Sequence, residues 1–291
     1  MELLVTLSSI NNLSKFVLCD VDGIIFGGPF SLRFNYSLEE MEDISEYCKE
    51  YGLKRYVTID SFILEEDKVL LYDYIEFLKK LDPDGIYFTD LGIISVVGDN
   101  FKDKLIYDPD TLITNSLDSM FYLKQGIGVV LSRELNMDEV LKILNNNKNK
   151  VDMQVFGCLK LSYSRRKFLS NYFKHINKDY DVCGNRNLKL VEENRDYSLP
   201  IIEDKYGTRI YSDFILLIYK EFLDLKGLLK RAIIDDTLLG DDTLVFDVLR
   251  DIKRLSYENS DFIKDNLTNK YKYETFSSGY LYQKMLKKKE D

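Results

Sequence analysis

The sequence predicts an α/β protein, a (β/α)8 TIM-barrel-like fold with irregular units, a small inserted β element and a C-terminal helical tail. Three observations point there. Short apolar runs alternate with amphipathic helical stretches through most of the 291 residues. Such alternation builds parallel βα units, and the number of strands is the number that closes a barrel. Several helical stretches also carry capping residues immediately after a strand.

In order, the expected strands are ELLVTL (2–7), KFVLCDV (15–21), LKRYVTID (53–60), DGIYFTD (84–90) and DKLIYD (103–108). GIGVVLSREL (126–135), DMQVFGCLKLS (152–162) and LKRAIIDD (229–236) complete the set. The connection between the first two is too brief for a full helix, which makes the barrel irregular. The first clear helix, 37–52, opens on Ser37 with Glu40 three residues later, a capping box, and closes at Gly52. The segment 67–85 is apolar at helical spacing and stops at Asp-Pro; 136–147 is capped by Asn136 with Glu139. Residues 174–212 break the pattern and hold a small β element at 200–212. One barrel domain is expected over 1–255, followed by a tail, 256–291. That tail contains helical SYENSDFIKDNL and ends in basic KMLKKKED, read as a partly frayed surface appendage.

Hydrophobic content of 45% and charged content of 31% are those of a soluble globular chain. Every apolar run is broken by a polar residue too early for a membrane span, and MELLVTLSSI lacks a signal-peptide pattern. A cytoplasmic protein without membrane association is the expectation. Net charge −9 argues against coating nucleic acid by general electrostatics, while leaving room for a local basic pocket. Such a pocket is suggested by VDMQVFGCLKLSYSRRKFLSNYF (151–173), where Lys160, Arg165, Arg166 and Lys167 follow a strand. The cysteines (Cys19, Cys48, Cys158, Cys183) have no metal-knuckle spacing and read as free thiols, with an iron–sulfur set the alternative. His175, the single histidine, excludes multi-histidine zinc sites and reads as a solvated residue.

CDVDGIIFGG (19–28) offers Asp20 and Asp22 at the spacing of a haloacid-dehalogenase phosphatase, with GDDTLVFD (240–247) as its distal Mg²⁺ acids. Ile24 replaces the usual Thr, and an Asp-Gly loop explains the pair equally. Arg133 and Glu134 end a strand at the face where barrels hold their sites, as a mouth pair or a rim ion pair. Asp60, Asp90 and Asn115 follow successive strands and converge on a polar mouth, although each alone suits a helix cap. Arg33, beside a Gly-Gly turn, suits a carboxylate or phosphate, or plain surface.

Taken in order, these segments resemble the collagenase-like peptidase U32 family. GGPFSLRFNYSLEEM is similar to its Gly-Gly, Phe-Ser-x-Arg, Ser-Leu-Glu-Glu signature, and LSRELNMDEVLKI to its strand-end Arg-Glu-Leu with a capped helix. VFGCLKLSYSRRKFLSNYF resembles its cysteine-bearing signature segment, and EDKYGTRIYS its Asp-x-x-Gly-Thr element. AIIDD stands where the family has Lys-Ile-Glu-Gly, and ETFSSGYLYQ (274–283) resembles its Thr-Gly-Phe-type ending. The main resemblance runs from about residue 2 to 250.

Against that pattern, Lys160 and Lys167 occupy the positions of two cluster cysteines, and Arg165 that of a turn glycine; Tyr163, Ser164 and Arg166 are retained. Cys158 is offset by two residues, roughly 7 Å along a strand, and only Cys183 lies near the missing downstream pair. Ammonium groups do not ligate iron. The resemblance therefore implies a short member with no iron–sulfur cluster and no other metal. It implies a partner subunit beside a longer, cluster-bearing relative in prephenate-dependent hydroxylation of the tRNA wobble uridine. Arg33, Arg133, Glu134, Tyr163 and Arg166 would form the working set of a mouth that takes an anionic ligand or RNA. Asp60, Asp90 and Asn115 would line it, with Lys160 and Lys167 in the vacated cluster position. A U32 peptidase using Ser164 with Lys160 or Lys167 is the hydrolase alternative, and a silent scaffold whose basic pocket docks a partner is the third reading.

Overall fold

The computed structural model describes residues 1–193 and 196–283. The barrel begins with β1 (Glu2–Thr6), α1 (Leu13–Leu18), β2 (Gly23–Gly27), α2 (Leu38–Glu50), β3 (Lys54–Ile59) and α3 (Lys68–Leu81). It continues through β4 (Gly85–Phe88), α4 (Gly92–Val97), β5 (Leu105–Tyr107), α5 (Ser116–Leu123), β6 (Gly128–Val130), α6 (Met137–Asn146) and β7 (Val151–Ser164). An excursion follows: α7 (Phe168–His175), β8 (Lys189–Val191), β9 (Ser198–Asp204), β10 (Gly207–Leu217) and α8 (Tyr219–Leu225). The chain then makes β11 (Arg231–Ile234), α9 (Thr243–Arg254), α10 (Ser260–Lys270) and β12 (Phe276–Ser277).

β1 to β7 pair in sequence as parallel neighbours, and β11 joins β1 on one side and β7 on the other, closing an eight-stranded parallel barrel. Its interior is an apolar layer of Leu4, Ile25, Tyr56, Tyr87, Ile106, Val130 and Ile233, one residue from nearly every strand. Beneath that layer Arg231 Nε lies 2.8 Å from Asp152 Oδ2, which also accepts the Tyr87 hydroxyl at 2.9 Å. The larger core lies between the outer barrel wall and the helices.

The local rules that shape the helices are visible in their caps. Ser37 and Glu40 close a reciprocal box at α2, and Asn136 and Glu139 do the same at α6. α3 buries Leu71, Tyr74, Ile75, Leu78 and Leu81, a stripe at helical spacing, and ends where Asp82 turns left-handed before Pro83.

The expected strand at 15–21 is not one. Leu13 and Phe16, three apart, are buried and Leu18 is 86% exposed, so this segment is the short helix α1. Asp20 then takes φ 53°, and the Asp22 carboxylate accepts the Leu3 amide at 2.6 Å. These turn the chain into GIIFG, the true second strand. The first βα unit thereby gains the helix that its connection looked too short to hold.

β7 is long enough to serve two sheets. Its first half is a barrel strand; its second half runs antiparallel to β10, from Phe156↔Leu217 to Ser164↔Thr208. β9 and β10 form the expected inserted hairpin, with Gly207 opposite Asp204. Residues 256–283 pack onto the barrel: Ile263, Leu267, Tyr271 and Leu281 are buried, and β12 pairs with β10. The basic ending KMLKKKED, at 284–291, lies outside the described residues.

Candidate functional site

Charged side chains meet just beyond the C-terminal ends of the barrel strands, the end of such a fold that carries its site. Asp60 follows β3, Asp108 follows β5, Asp235 follows β11, and Arg133 lies three residues past β6. Arg33 enters from the β2–α2 loop and Lys160 from β7. Arg133 forks onto Asp108 with two contacts of 3.0 Å, reaches Asp110 at 2.9 Å, and donates its Nε to Gln154 at 2.8 Å. Lys160 Nζ lies 3.1 Å from Asp110 and 3.9 Å from Asp60. Arg33 lies 3.4 Å from Asp235, 3.8 Å from Asp108 and 4.0 Å from Asp60.

This is a buried network of alternating sign, with most members under 10% exposed. Burial alone would push the Asp108 carboxyl up, but Arg133, with Arg33 and Lys160 behind it, outweighs that and holds it well below the usual carboxylate range. Burial likewise opposes the charge on Arg33, and Asp235, Asp60 and Asp108 outweigh it, so its guanidinium is held more firmly than usual. Asp236 contrasts with them. Burial pushes it up to about 7 against hydrogen bonds from Ser8 and Thr6, and neighbouring Asp235 pushes the same way. Among the described residues Asp60 Oδ2, Ser61 Oγ, Arg209 Nε and Thr237 Oγ1 are buried without a hydrogen-bond partner.

The inserted hairpin is anchored beside this mouth. The Tyr206 hydroxyl accepts the amide of Phe30, which sits at φ 69°, and the Tyr206 carbonyl accepts the Tyr163 hydroxyl at 3.0 Å. Gly207 must be glycine, because at φ 114° a Cβ would stand 2.1 Å from the Ser164 carbonyl oxygen. Arg165 ties the end of β7 to the β3–α3 loop through Asp67 at 3.1 Å.

Of the residues singled out from sequence, the structure brings Arg33, Asp60, Arg133 and Lys160 together, with Tyr163 at the rim. It separates the others. Glu134 is exposed while Arg133 turns inward, so the two are not a pair. Asn115 is the exposed cap of α5, accepting Leu117 and Asp118 amides, and Asp90 braces a loop through Ile63 and Gly92. A polar residue after a strand serves helix starts as readily as mouths, and Asn115 took the first role. Ser164 Oγ accepts the Arg166 amide at 3.2 Å, and Arg166 and Lys167 are exposed.

Asp20 and Asp22 precede β2, at the opposite end of the barrel from the mouth, and Asp20 pairs on the surface with Lys253. Asp241 accepts the amide and hydroxyl of Thr243 at the start of α9, and Asp247 accepts the Tyr271 hydroxyl. A phosphatase nucleophile belongs at a strand's C-terminal end, so this constellation is not assembled. Sequence reading passed over Asp108, Asp110, Gln154 and Asp235. The strand-end YDPD and IIDD were the available signals, each resembling an ordinary turn.

The cysteines do not fit an iron–sulfur cluster. Cys48 is buried in α2, Cys19 ends α1, Cys183 is exposed, and all four are free. Cys158 faces a cavity of about 420 Å³ shared with Ser212, Asp213 and Glu274, where burial pushes its thiol up to about 12. Lys160 is committed to Asp110, and Lys167 stands outside the mouth, so the two do not share one site. Among the described residues no three His, Cys, Asp or Glu side chains are arranged to hold a metal ion, and no helix is long and apolar enough to cross a membrane.

Comparison with known proteins adds to this picture. A family model described as peptidase family U32 matches residues 8–230. The chain is 29% identical over 233 residues to tRNA hydroxylation protein P2 of Bacillus subtilis (strain 168), covering 77% of this chain and 75% of that protein. It is 30% identical over 194 residues to tRNA hydroxylation protein P1 of the same organism, covering 62% of this chain but only 44% of the relative. The fold is similar to a solved U32 peptidase structure with TM-score 0.50 at 16% identity, over 83% of this chain and 94% of that one.

Proposed function

The chain belongs to peptidase family U32, and on that premise we propose that it is a cluster-less subunit in RNA hydroxylation, working on the tRNA wobble uridine beside a longer, cluster-bearing family member. One observation carries the reading. Lys160, at a position where the family resemblance calls for a cluster cysteine, is buried and ion-paired in the mouth. One of the two donor positions is thus taken by charge that the mouth itself neutralises, while the other, Lys167, is exposed. Similarity to the tRNA hydroxylation protein P2 over three quarters of both chains supports the RNA side of the proposal.

Prephenate, as co-substrate of the complex, belongs with the partner. It is a dianion, and the mouth of this chain sets the three cations of Arg33, Arg133 and Lys160 against the four carboxylates of Asp60, Asp108, Asp110 and Asp235. An added dianion would enter a site with no surplus positive charge. What these residues supply is a stiff, pre-paired platform at the strand ends on which a second macromolecule can rest.

The geometry gives the peptidase alternative nothing to work with. Ser164 Oγ is engaged by a backbone amide, Lys160 lies four residues earlier on the same strand, about 13 Å away, and Lys167 and His175 are exposed. Among the described residues no hydrogen bond joins Ser164 Oγ to Lys160 or Lys167 as its base.

Affinity purification of the tagged full chain from its own host, with mass spectrometry of what accompanies it, tests the proposal. A longer U32 protein should copurify and carry the visible absorbance of an iron–sulfur cluster. A chain that purifies alone, or that shows the absorbance by itself, would sink it.

A further inference from the structure

At the rim of the mouth Phe62 stands 40% exposed, two residues beyond Asp60, with its ring stacked on Tyr163 at 4.8 Å and 26°. The stack is held from behind on several sides. The Phe62 amide donates to the Tyr163 hydroxyl at 3.3 Å, that hydroxyl donates to the Tyr206 carbonyl, and Lys160 Nζ lies 5.8 Å from the Tyr163 ring centroid. A single exposed aromatic is ordinary on a protein surface. One fixed in a rigid stack over a site, with its outer side open, is how proteins present a face to a planar ligand.

The surroundings say which planar ligand. Residues 160–189 hold eight Lys and Arg against two Asp in a chain whose net charge is −9. Arg166 and Lys167 are exposed three and four residues beyond Tyr163. On the β3–α3 loop itself Glu65 is paired with Lys68, Asp67 is paired with Arg165, and Glu66 is exposed. Aromatic faces beside mobile cations bind unpaired nucleotides: the base stacks and the cations meet the phosphates.

We propose that the Phe62–Tyr163 stack is a platform for one unpaired base of an RNA strand, with Arg166 and Lys167 meeting the flanking phosphates. This rests on the RNA reading above and adds the residues that would hold the strand at the mouth. Tyr163 is a positioning residue, and Phe62 makes the contact.

The chain contains no tryptophan, so Phe62→Trp places a single fluorescent reporter on the platform. The probes are a fluorescein-labelled short oligouridylate and bulk tRNA, measured by anisotropy on the full chain, with its copurifying partner where there is one. Loss of one stacked base should weaken oligouridylate binding by Phe62→Ala about tenfold. Phe62→Trp should bind as wild type, with its emission, measured on the isolated chain, quenched saturably by the same RNA. Equal binding by wild type and Phe62→Ala, with no quenching in Phe62→Trp, would overturn the platform and leave the RNA reading standing. Failure of wild type to bind either RNA would overturn both.

Discussion

Arg133→Met would leave Asp108 without its two-pronged partner and Asp110 without one of its two cations, in a region where water cannot replace them. Removing one side of a buried pair typically costs about 3–5 kcal/mol. A fall of that order in the free energy of urea unfolding is expected, against under about 1 kcal/mol for Arg250→Met, whose side chain is 65% exposed. Asp236 carries a pH signature. Its carboxyl is raised in the folded state to about 7 from the ordinary 3.8. The folded chain therefore keeps a proton that the unfolded chain has lost, and the stabilisation, complete below 3.8, disappears as pH rises through about 7. Unfolding measured between about pH 5 and about pH 8 should show stability falling with pH, and Asp236→Asn should flatten that slope. An unchanged slope would mean that some other group carries it. At this scale the sequence was half legible. Asp60 and Arg133 could be found because strand ends point at one mouth, and Arg33 because it stands beside a Gly-Gly turn. Which of two adjacent charges, Arg133 or Glu134, turns inward depends on how the loop after β6 twists, and the residue pattern does not encode that.

Elements with strong local chemistry were the readable ones. The capping boxes of α2 and α6 start where Ser37 and Asn136 stand, and the α3 stripe ends at Asp-Pro. α1 passes for a strand in the sequence because KFVLCDV is a short, mostly apolar run, while the buried positions of the helix, Leu13 and Phe16, are three apart. β2 was missed in turn because GIIFG is very short. Ser37→Ala removes one reciprocal bond of the α2 cap and should lower stability by about 1 kcal/mol. Gly207→Ala should do more, since its Cβ cannot coexist with the Ser164 carbonyl at the observed φ of 114°. The expected result is local: the β9–β10 hairpin becomes the first site cut in limited proteolysis, while circular dichroism of the barrel changes little. Global unfolding instead would show that the hairpin and barrel fold as one unit.

Across the whole molecule, the family resemblance carried the architecture because its segments recur in order around a closed barrel, each strand fixing the register of the next. Function was less legible. Charge at the mouth could be foreseen from 160–167, but that Lys160 would be consumed by Asp110 and Asp60 depends on three strands meeting, and only the fold brings them together. The result is a U32 barrel whose mouth holds a buried ion-pair network of Arg33, Arg133 and Lys160 with four aspartates, and an exposed aromatic at its rim. The central claim is tested most directly by nucleoside mass spectrometry of tRNA from host cells lacking this chain. Hydroxylated wobble uridine should be lost and should return with the wild-type chain; tRNA that keeps the modification at its normal level would contradict the account.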